Sequence, residues 1–258
     1  MTKHETSDQE GAKGERIAKF LARSGVASRR EAERLIEQRR VTVDGQTLTS
    51  PAFLVHGGED VRFDGARVGQ ARAPVRLWRY HKPDGLVTTH RDPQGRPTVF
   101  ERLPEGMGRV VSVGRLDLTT EGLLLLTNDG GLSRALELPS NGWRRRYRAR
   151  AYGRTTQGAL DAIRDGVEVE GVRYGPIAAK VDQVQGGNTW LTLSITEGKN
   201  REVRQVLRHL GLHVNRLIRT AYGPFQLGGL ERGAAEPVPN KQLREQLGTK
   251  LSDELGVD

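Results

Sequence analysis

Hydrophobic and polar positions change their spacing along the chain, from the period of helices at the start to the alternation of strands further on. Apolar residues recur every three or four positions over residues 15–23 and again over 28–36, where Ser28-Arg29-Arg30-Glu31 fits a helix-capping box. Asp-Gly pairs between β-forming residues then predict hairpin turns at Asp44 and Asp64. The first part of the chain is therefore predicted to be a compact unit of two helices followed by strands.

The later part of the chain contains more strand patterns than helix patterns. The apolar run Leu123–Leu126 is dense enough for a buried strand, and residues 190–195 alternate between apolar and polar side chains. Residues 203–210 instead carry apolar side chains at helical spacing, with Arg204 at the boundary of the buried stripe. Helices and strands are thus mixed along the chain, which predicts an α+β protein.

Breaks in these patterns predict the domain boundaries. Residues 69–74 read Gly-Gln-Ala-Arg-Ala-Pro, and such small and helix-breaking residues predict a linker. Residues 1–14 and 245–258 lack periodicity, so the first segment is expected to be disordered and the second to be a loose tail. Two folded domains are then predicted, at residues 15–68 and 75–244.

The segment of residues 143–151 alternates like a strand, with Tyr147 on the face opposite to its arginines. The arginines that share one face are Arg144, Arg146, Arg148 and Arg150. Such neighbouring cations repel one another unless carboxylates or a polyanion lie against them. Tyr147 fits either a core aromatic or a platform on which a base stacks.

The balance of charge adds a partner to this description. The 258 residues include 41 Lys and Arg against 32 Asp and Glu, and this net charge of +9 favours a polyanion, with nucleic acid first. Since no apolar run is long enough to cross a bilayer, no membrane partner is expected. The absence of cysteine suits a reducing cytoplasm. Scattered histidines and the lack of phosphate-binding glycine motifs predict neither a metal ion nor a nucleotide cofactor.

One acidic residue lies where functional groups are commonly held. Asp117 is in the loop of residues 113–122, between two glycines and directly before the apolar run. The same spacing fits a turn or helix N-cap aspartate that bonds only to local backbone. The loop by itself leaves both interpretations open.

The stretch FLARSGVASRREAERLIEQRRVTVDG resembles the S4 RNA-binding domain, and the resemblance extends over residues 15 to about 65. It implies that Arg29 and Arg30 contact RNA phosphates, which position a protein and specify little sequence. The same arginines also fit a solvated basic face, because nearby glutamates could pair with them.

Several later motifs, in the expected order, resemble the pseudouridine synthases, within the branch that modifies ribosomal RNA and carries an S4 domain. They are HKPDG at residues 81–85, GRLDLTTEGLLLLTNDG at 114–130, Arg146-Tyr147, and EGKNREVR at 197–204. The resemblance covers residues 15–230 and implies a larger domain with a mixed, mostly antiparallel sheet flanked by helices. It also implies catalysis without a cofactor or metal, and we expect the protein to be a monomer.

The resemblance assigns roles to individual residues. Asp117 would be the nucleophile or base, Tyr147 would stack on a flipped-out uracil, and Arg204 would hold Asp117 ionised and aimed. Contacts with the RNA are implied for Arg115, at a phosphate or in the vacated base position, and for the backbone-binding residues Lys82, Lys199 and Arg201.

Two questions stay open at this point. The segments RDPQGRPTVFERLP and TAYGPFQLGGL are most similar to the branch acting on large-subunit (23S) ribosomal RNA near position 2605, with the small-subunit (16S) branch as the alternative. The substrate would be that RNA or an assembling ribosomal particle. A different class, a non-catalytic RNA-binding assembly factor with the same fold, is disfavoured because binding alone needs no buried acid–arginine pair.

Overall fold

The chain divides into two compact units, Met1–Pro74 and Val75–Asp258. The computed structural model describes residues 14–69 and 74–257. The expected disordered N-terminus and linker therefore fall almost entirely outside the described residues, and both stay predictions. No helix within those two ranges has the length and the apolar character that crossing a membrane requires.

The first unit packs two helices against short antiparallel strands. Its elements are β1 Glu15–Arg16, α1 Ile17–Arg23, α2 Arg29–Glu37, β2 Val41–Val43, β3 Gln46–Thr47, β4 Leu54–Val55, β5 Val61–Phe63 and β6 Ala66–Arg67. The four-stranded sheet has the order β3-β2-β5-β6, and β1 pairs with β4. At the start of α2, the Ser28 hydroxyl accepts the Glu31 N–H at 3.1 Å, the forward half of the predicted capping box. The Glu31 carboxylate pairs with Arg34 one turn later.

The second unit is built on one large sheet. Its elements are β7 Leu77–Lys82, β8 Val111–Val113, β9 Thr120–Thr127, α3 Gly130–Glu137, β10 Arg145–Tyr152, α4 Gln157–Asp161, β11 Val167–Val169, β12 Val172–Tyr174, β13 Ile177–Gln185, β14 Asn188–Ile195, α5 Glu202–His209, β15 His213–Tyr222, β16 Phe225–Gln226, β17 Ala235–Pro237, α6 Asn240–Leu247 and α7 Thr249–Leu255. The main strand order is β13-β14-β10-β15-β9-β7-β17, with β8 beside β9 and β16 beside β15. Strands β15 and β9 run parallel, and the other pairs of this sheet are antiparallel. The predicted α+β class with a mixed, mostly antiparallel sheet is confirmed.

Strand β9 is buried on both faces, which explains its unbroken run of leucines. Leu123 and Leu125 belong to a core cluster that includes residues of α3 and α6, whereas Leu124 and Leu126 belong to another with Tyr80. A strand covered on both sides needs apolar side chains at every position. The loop that carries Asp117 is thus attached to the most deeply buried strand of the unit.

The prediction of a loose C-terminal tail is wrong. Residues 240–247 and 249–255 are helical, and Leu243 and Val257 are fully buried in the same core cluster as Leu125. Arg244 donates to the Val257 carbonyl and pairs with Asp253. The helices are short and contain few apolar residues, so their periodicity is weak in the sequence although tertiary packing holds them.

Gly122 allows the parallel strands β9 and β15 to approach each other closely. Its φ is +101°, and a Cβ atom built on it would lie 2.3 Å from the Arg219 carbonyl oxygen. A side chain there would both strain the backbone and collide with a backbone atom that cannot move freely.

We expect Gly122→Ala to lower the free energy of unfolding by about 3 kcal/mol or more, because a strained backbone angle and a backbone clash combine. Urea unfolding followed by circular dichroism measures this change. The matched control is Gly130→Ala, since no heavy atom lies within 4 Å of its built Cβ. Equal stability of the two variants would contradict the prediction.

Candidate active site

A cavity of about 360 Å³ opens beside the loop that follows β8. Its lining combines that loop with side chains of β10 and β15 and with the turn before α5. The cavity brings together most of the predicted site residues, namely Asp117, Tyr147, Arg115, Lys199 and Arg201. These residues come from distant parts of the sequence, so their convergence was not visible in the spacing of any one motif.

The Asp117 loop is held through its backbone carbonyl groups. The Leu116 carbonyl accepts the Thr88 hydroxyl at 2.8 Å, and the Asp117 carbonyl accepts the Thr120 N–H at 3.0 Å. The next carbonyl, of Leu118, accepts the Gly85 N–H at 2.8 Å. These bonds leave the half-exposed Asp117 carboxylate at the cavity, and no hydrogen bond or ion pair within the described residues engages it.

Lys82 holds the same loop from inside the protein. Its predicted contact with the RNA backbone is therefore wrong. The side chain is fully buried, and the ammonium donates to the carbonyls of Thr120 at 3.0 Å and of Leu118 at 3.4 Å. Burial lowers the pKa of Lys82 to about 8, although Asp84, Asp117 and Glu121 favour the charged form. A cation in this position orients the loop and cannot reach a phosphate.

Arg204 approaches the loop without pairing with its carboxylate. The guanidinium donates to the Thr119 carbonyl at 2.9 Å and to the Val214 carbonyl at 3.0 Å. No ion pair joins Arg204 and Asp117 within the described residues, so the predicted direct bond is absent from this structure. The two charges nevertheless interact, because Asp117 partly offsets the lowering of the Arg204 pKa by burial. Arg204 therefore ties α5 and β15 to the Asp117 loop.

Tyr147 lies on β10, opposite Leu193 of β14 and Arg219 of β15. Its ring packs against two core clusters, and the side chain stays half-buried at the cavity wall. Its packing and its exposure are thus both present, which is what a base-stacking platform requires.

Arg219 is a site residue that the motif comparison did not identify. Its side chain is 3% exposed and lines the cavity, with Nε donating to the Leu123 carbonyl at 2.8 Å. The guanidinium lies over the Tyr222 ring at 5.2 Å, and Nη2 has no partner within the described residues. The sequence did contain a signal, because the alternation of β15 puts Arg219 on the same face as the buried Leu217.

Glu202 is a second buried group at the cavity that was missed. One carboxylate oxygen accepts the Lys199 N–H at 3.0 Å, and the other has no partner within the described residues. Burial raises the pKa of Glu202 to about 7, so the carboxyl is substantially protonated near neutrality. Its position in the first turn of α5 resembles an ordinary helix-start glutamate, and the sequence alone could not indicate its burial.

The remaining residues predicted to contact RNA differ in their exposure and in whether other groups of the protein already bind them. Arg115 and Arg201 are exposed at the cavity. The Lys199 ammonium is already held by Glu197 at 2.8 Å and by the Arg173 carbonyl. Arg29 and Arg30 are exposed on α2 of the first unit, with no acid partner among the described residues. Nor do those residues contain a group of three or more acidic or histidine side chains that could hold a metal ion.

Comparisons with known proteins agree with the two-unit division. Residues 15–61 match the S4 domain, and residues 76–209 match the RNA pseudouridylate synthase family. An uncharacterised RNA pseudouridine synthase of Rickettsia felis is 45% identical over 90% of this chain and all of its own length. The ribosomal large subunit pseudouridine synthase B of Pasteurella multocida is 40% identical, over 95% of this chain and 74% of its own length.

A solved structure supports the same comparison. The crystal structure of a pseudouridylate synthase matches 90% of this chain and 99% of its own with a TM-score of 0.61 and 25% sequence identity. The likeness therefore extends over both units.

We expect Lys82→Met to lower kcat more than RNA affinity, because the buried ammonium orients the Asp117 loop without facing the RNA.

Lys82→Met should also remove a pH dependence of the free energy of unfolding that the buried lysine causes. Since the native pKa is about 8 and the ordinary value 10.5, the unfolded chain binds more protons between those pH values. The stability of the wild type should rise relative to the variant by about 1.4 kcal/mol per pH unit in that interval.

Urea unfolding at several pH values between neutrality and the alkaline range measures the effect. Lys241→Met is the matched control, because it removes a lysine from the largely solvent-facing helix α6. If both variants followed the wild type in parallel, the lowered pKa of Lys82 would be refuted.

Proposed function

This chain belongs to the RNA pseudouridylate synthase family and carries an S4 domain, and from that premise we propose that it isomerises a specific uridine of ribosomal RNA to pseudouridine. The reaction breaks the bond from uracil N1 to ribose C1′ and forms a bond from C5 to C1′. The proton of C5 is lost and N1 gains one, so the conversion needs no oxidant and no co-substrate. Asp117 is the nucleophile or base of this isomerisation.

The observation that carries the proposal is the Asp117 carboxylate itself. It faces the cavity unpaired within the described residues, on a loop whose carbonyls at positions 116–120 are all engaged by donors. A fixed but unoccupied carboxylate can attack carbon or accept a proton without first breaking a bond. An aspartate that merely capped a turn would instead use its oxygens on local N–H groups.

The cavity suits a nucleotide that has left its stack. Its volume of about 360 Å³ lies within the range of ordinary ligand pockets. Enzymes that act on a base inside RNA flip the nucleotide out and hold the base by stacking. Tyr147 supplies the ring in our proposal, and Arg219 supplies a buried donor close to the site of the base.

Arg204 acts on Asp117 through the loop in this proposal. It fixes the Thr119 carbonyl, two residues from the carboxylate, and so positions that carboxylate without bonding to it. Lys82 acts in the same way on the two neighbouring carbonyls. Both are positioning residues.

We assign the RNA backbone to the exposed cations. Arg115 and Arg201 contact phosphates near the target uridine, with Lys199 beside them, while Arg29 and Arg30 of the S4 domain contact phosphates further away. The substrate we propose is large-subunit ribosomal RNA, free or in an assembling particle. The name of the Pasteurella multocida relative supports this choice, and the similarity of segments 91–104 and 220–230 supports the position-2605 branch.

We expect Asp117→Asn to lower pseudouridine formation by more than about a thousandfold, because it removes the reacting carboxylate while keeping shape. Large-subunit RNA incubated with the protein and mapped chemically for pseudouridine gives the measurement. The matched control is the exposed Asp165→Asn, which makes the same charge change. Binding of RNA by wild type and variant without a modified uridine, on free RNA and on precursor particles, would refute the proposal.

Tyr147 should reveal the stacking contact. We expect Tyr147→Ala to weaken RNA binding by about 1–3 kcal/mol relative to Tyr147→Phe, because only the phenylalanine keeps a ring against the base. Filter binding in an Asp117→Asn background separates this effect from turnover. Equal affinity of the two variants would mean that no base stacks on Tyr147.

A further inference from the structure

In one half of the large sheet, one face is buried and the opposite face is open to solvent. On β10 and β14 the residues that point toward α5 are mostly buried, such as Ala149, Leu191 and Leu193. On the opposite face none of the side chains from Arg146 to Tyr152 and from Trp190 to Ser194 is buried. We name this face the outer face and define it by Arg146, Arg148, Arg150 and Tyr152 of β10 with Trp190, Thr192 and Ser194 of β14. An antiparallel sheet can leave one side to solvent, so exposure alone is ordinary.

The charge of the outer face is not ordinary. Arg146, Arg148 and Arg150 follow one another along a single strand face, with no ion pair to any described acid. Arg216 lies opposite Arg150 on β15 and does have an acid partner, because it pairs with Glu121 at 2.9 Å. The strand arginines are thus the unneutralised members of a larger basic region.

Neighbouring strands add little negative charge. Lys180 of β13 lies opposite Thr192, and the Asp182 carboxylate accepts the Thr192 hydroxyl at 2.8 Å. Strand-face neighbours stand about 7 Å apart, so the arginines repel one another at low salt. A polyanion lying along β10 would remove that repulsion.

Aromatic rings are interleaved with these cations. The Arg148 guanidinium lies over the Trp190 ring at 4.5 Å, and Tyr152 at the end of the strand is 62% exposed. Exposed rings beside backbone-tracking cations are the composition of surfaces that bind single-stranded RNA. An acidic protein surface would account for the arginines and leave the exposed Tyr152 ring unexplained.

We propose that the outer face binds a second segment of the RNA, remote from the nucleotide in the cavity. The alternation of β10 puts these arginines on the side of the sheet opposite to Tyr147, so one phosphate group cannot serve both sites. The identity of that RNA as the substrate rests on the proposed function, whereas the binding does not. The outer face adds affinity that depends on salt and carries no sequence information.

The test compares two variants of equal charge. The first replaces Arg146, Arg148 and Arg150 with glutamine, and the second replaces the exposed Arg102, Arg134 and Arg164, which lie elsewhere on the second unit. Affinity for polyuridylic acid is measured at several salt concentrations. We expect the first variant to lower the magnitude of the slope of log affinity against log salt by about 2, because each phosphate contact contributes about 0.7 for a single strand. The second should keep the wild-type slope.

A direct measurement accompanies the slopes. Photocrosslinking of wild-type protein to polyuridylic acid containing 4-thiouridine should label peptides that contain Tyr152 or Trp190. Absence of these crosslinks, or equal slopes for both variants, would overturn the proposal, and the crosslinks need no variant to fold. Failure of the proposed enzymatic function would give a different result. No pseudouridine would form in large-subunit RNA, although the outer-face variant would still show a smaller salt dependence of its RNA affinity.

Discussion

The bond between the buried Lys82 ammonium and the Thr120 carbonyl is the contact on which the Asp117 loop depends. The same ammonium also donates to the Leu118 carbonyl, and Arg204 donates to the Thr119 carbonyl between those two. Hydrogen bonds from a charged donor contribute about 1.5–3 kcal/mol each. Three successive carbonyls are therefore held by two cations, and the carboxylate of Asp117 has no share in holding its own loop.

This arrangement has a cost that the rest of the fold must offset. A fully buried lysine loses its hydration, which is why its pKa falls to about 8. The leucine run of β9 offsets the loss by packing apolar side chains on both faces of the strand that follows the loop. Gly122 then allows β15 to approach β9, and that approach brings Arg219 into the cavity. The packing of β9 and β15 in the core therefore also positions the charged side chains of the site.

Motif and periodicity were sufficient for the fold class and for the family. The S4 and synthase matches, the mixed sheet and the buried β9 all follow from local patterns and resemblance. The contacts of Lys82 and Arg204 did not follow, because sequence spacing cannot distinguish a cation aimed at a phosphate or a carboxylate from one aimed at a carbonyl. The C-terminal helices were missed for a related reason, since Leu243 and Val257 are buried by contacts with distant strands rather than by local periodicity.

Burial sorts the many cations of this basic chain into two kinds. Lys82, Arg204 and Arg219 each donate to backbone carbonyls and are mostly withdrawn from solvent, so they act on the shape of the site. Exposed arginines without acid partners keep their full charge for a polyanion. The net charge of +9 is therefore a poor measure of the positive charge that RNA can reach, because part of the charge lies on buried side chains. The average also hides a local concentration, because the arginines of β10 that lack acid partners share one strand face rather than being spread over the molecule.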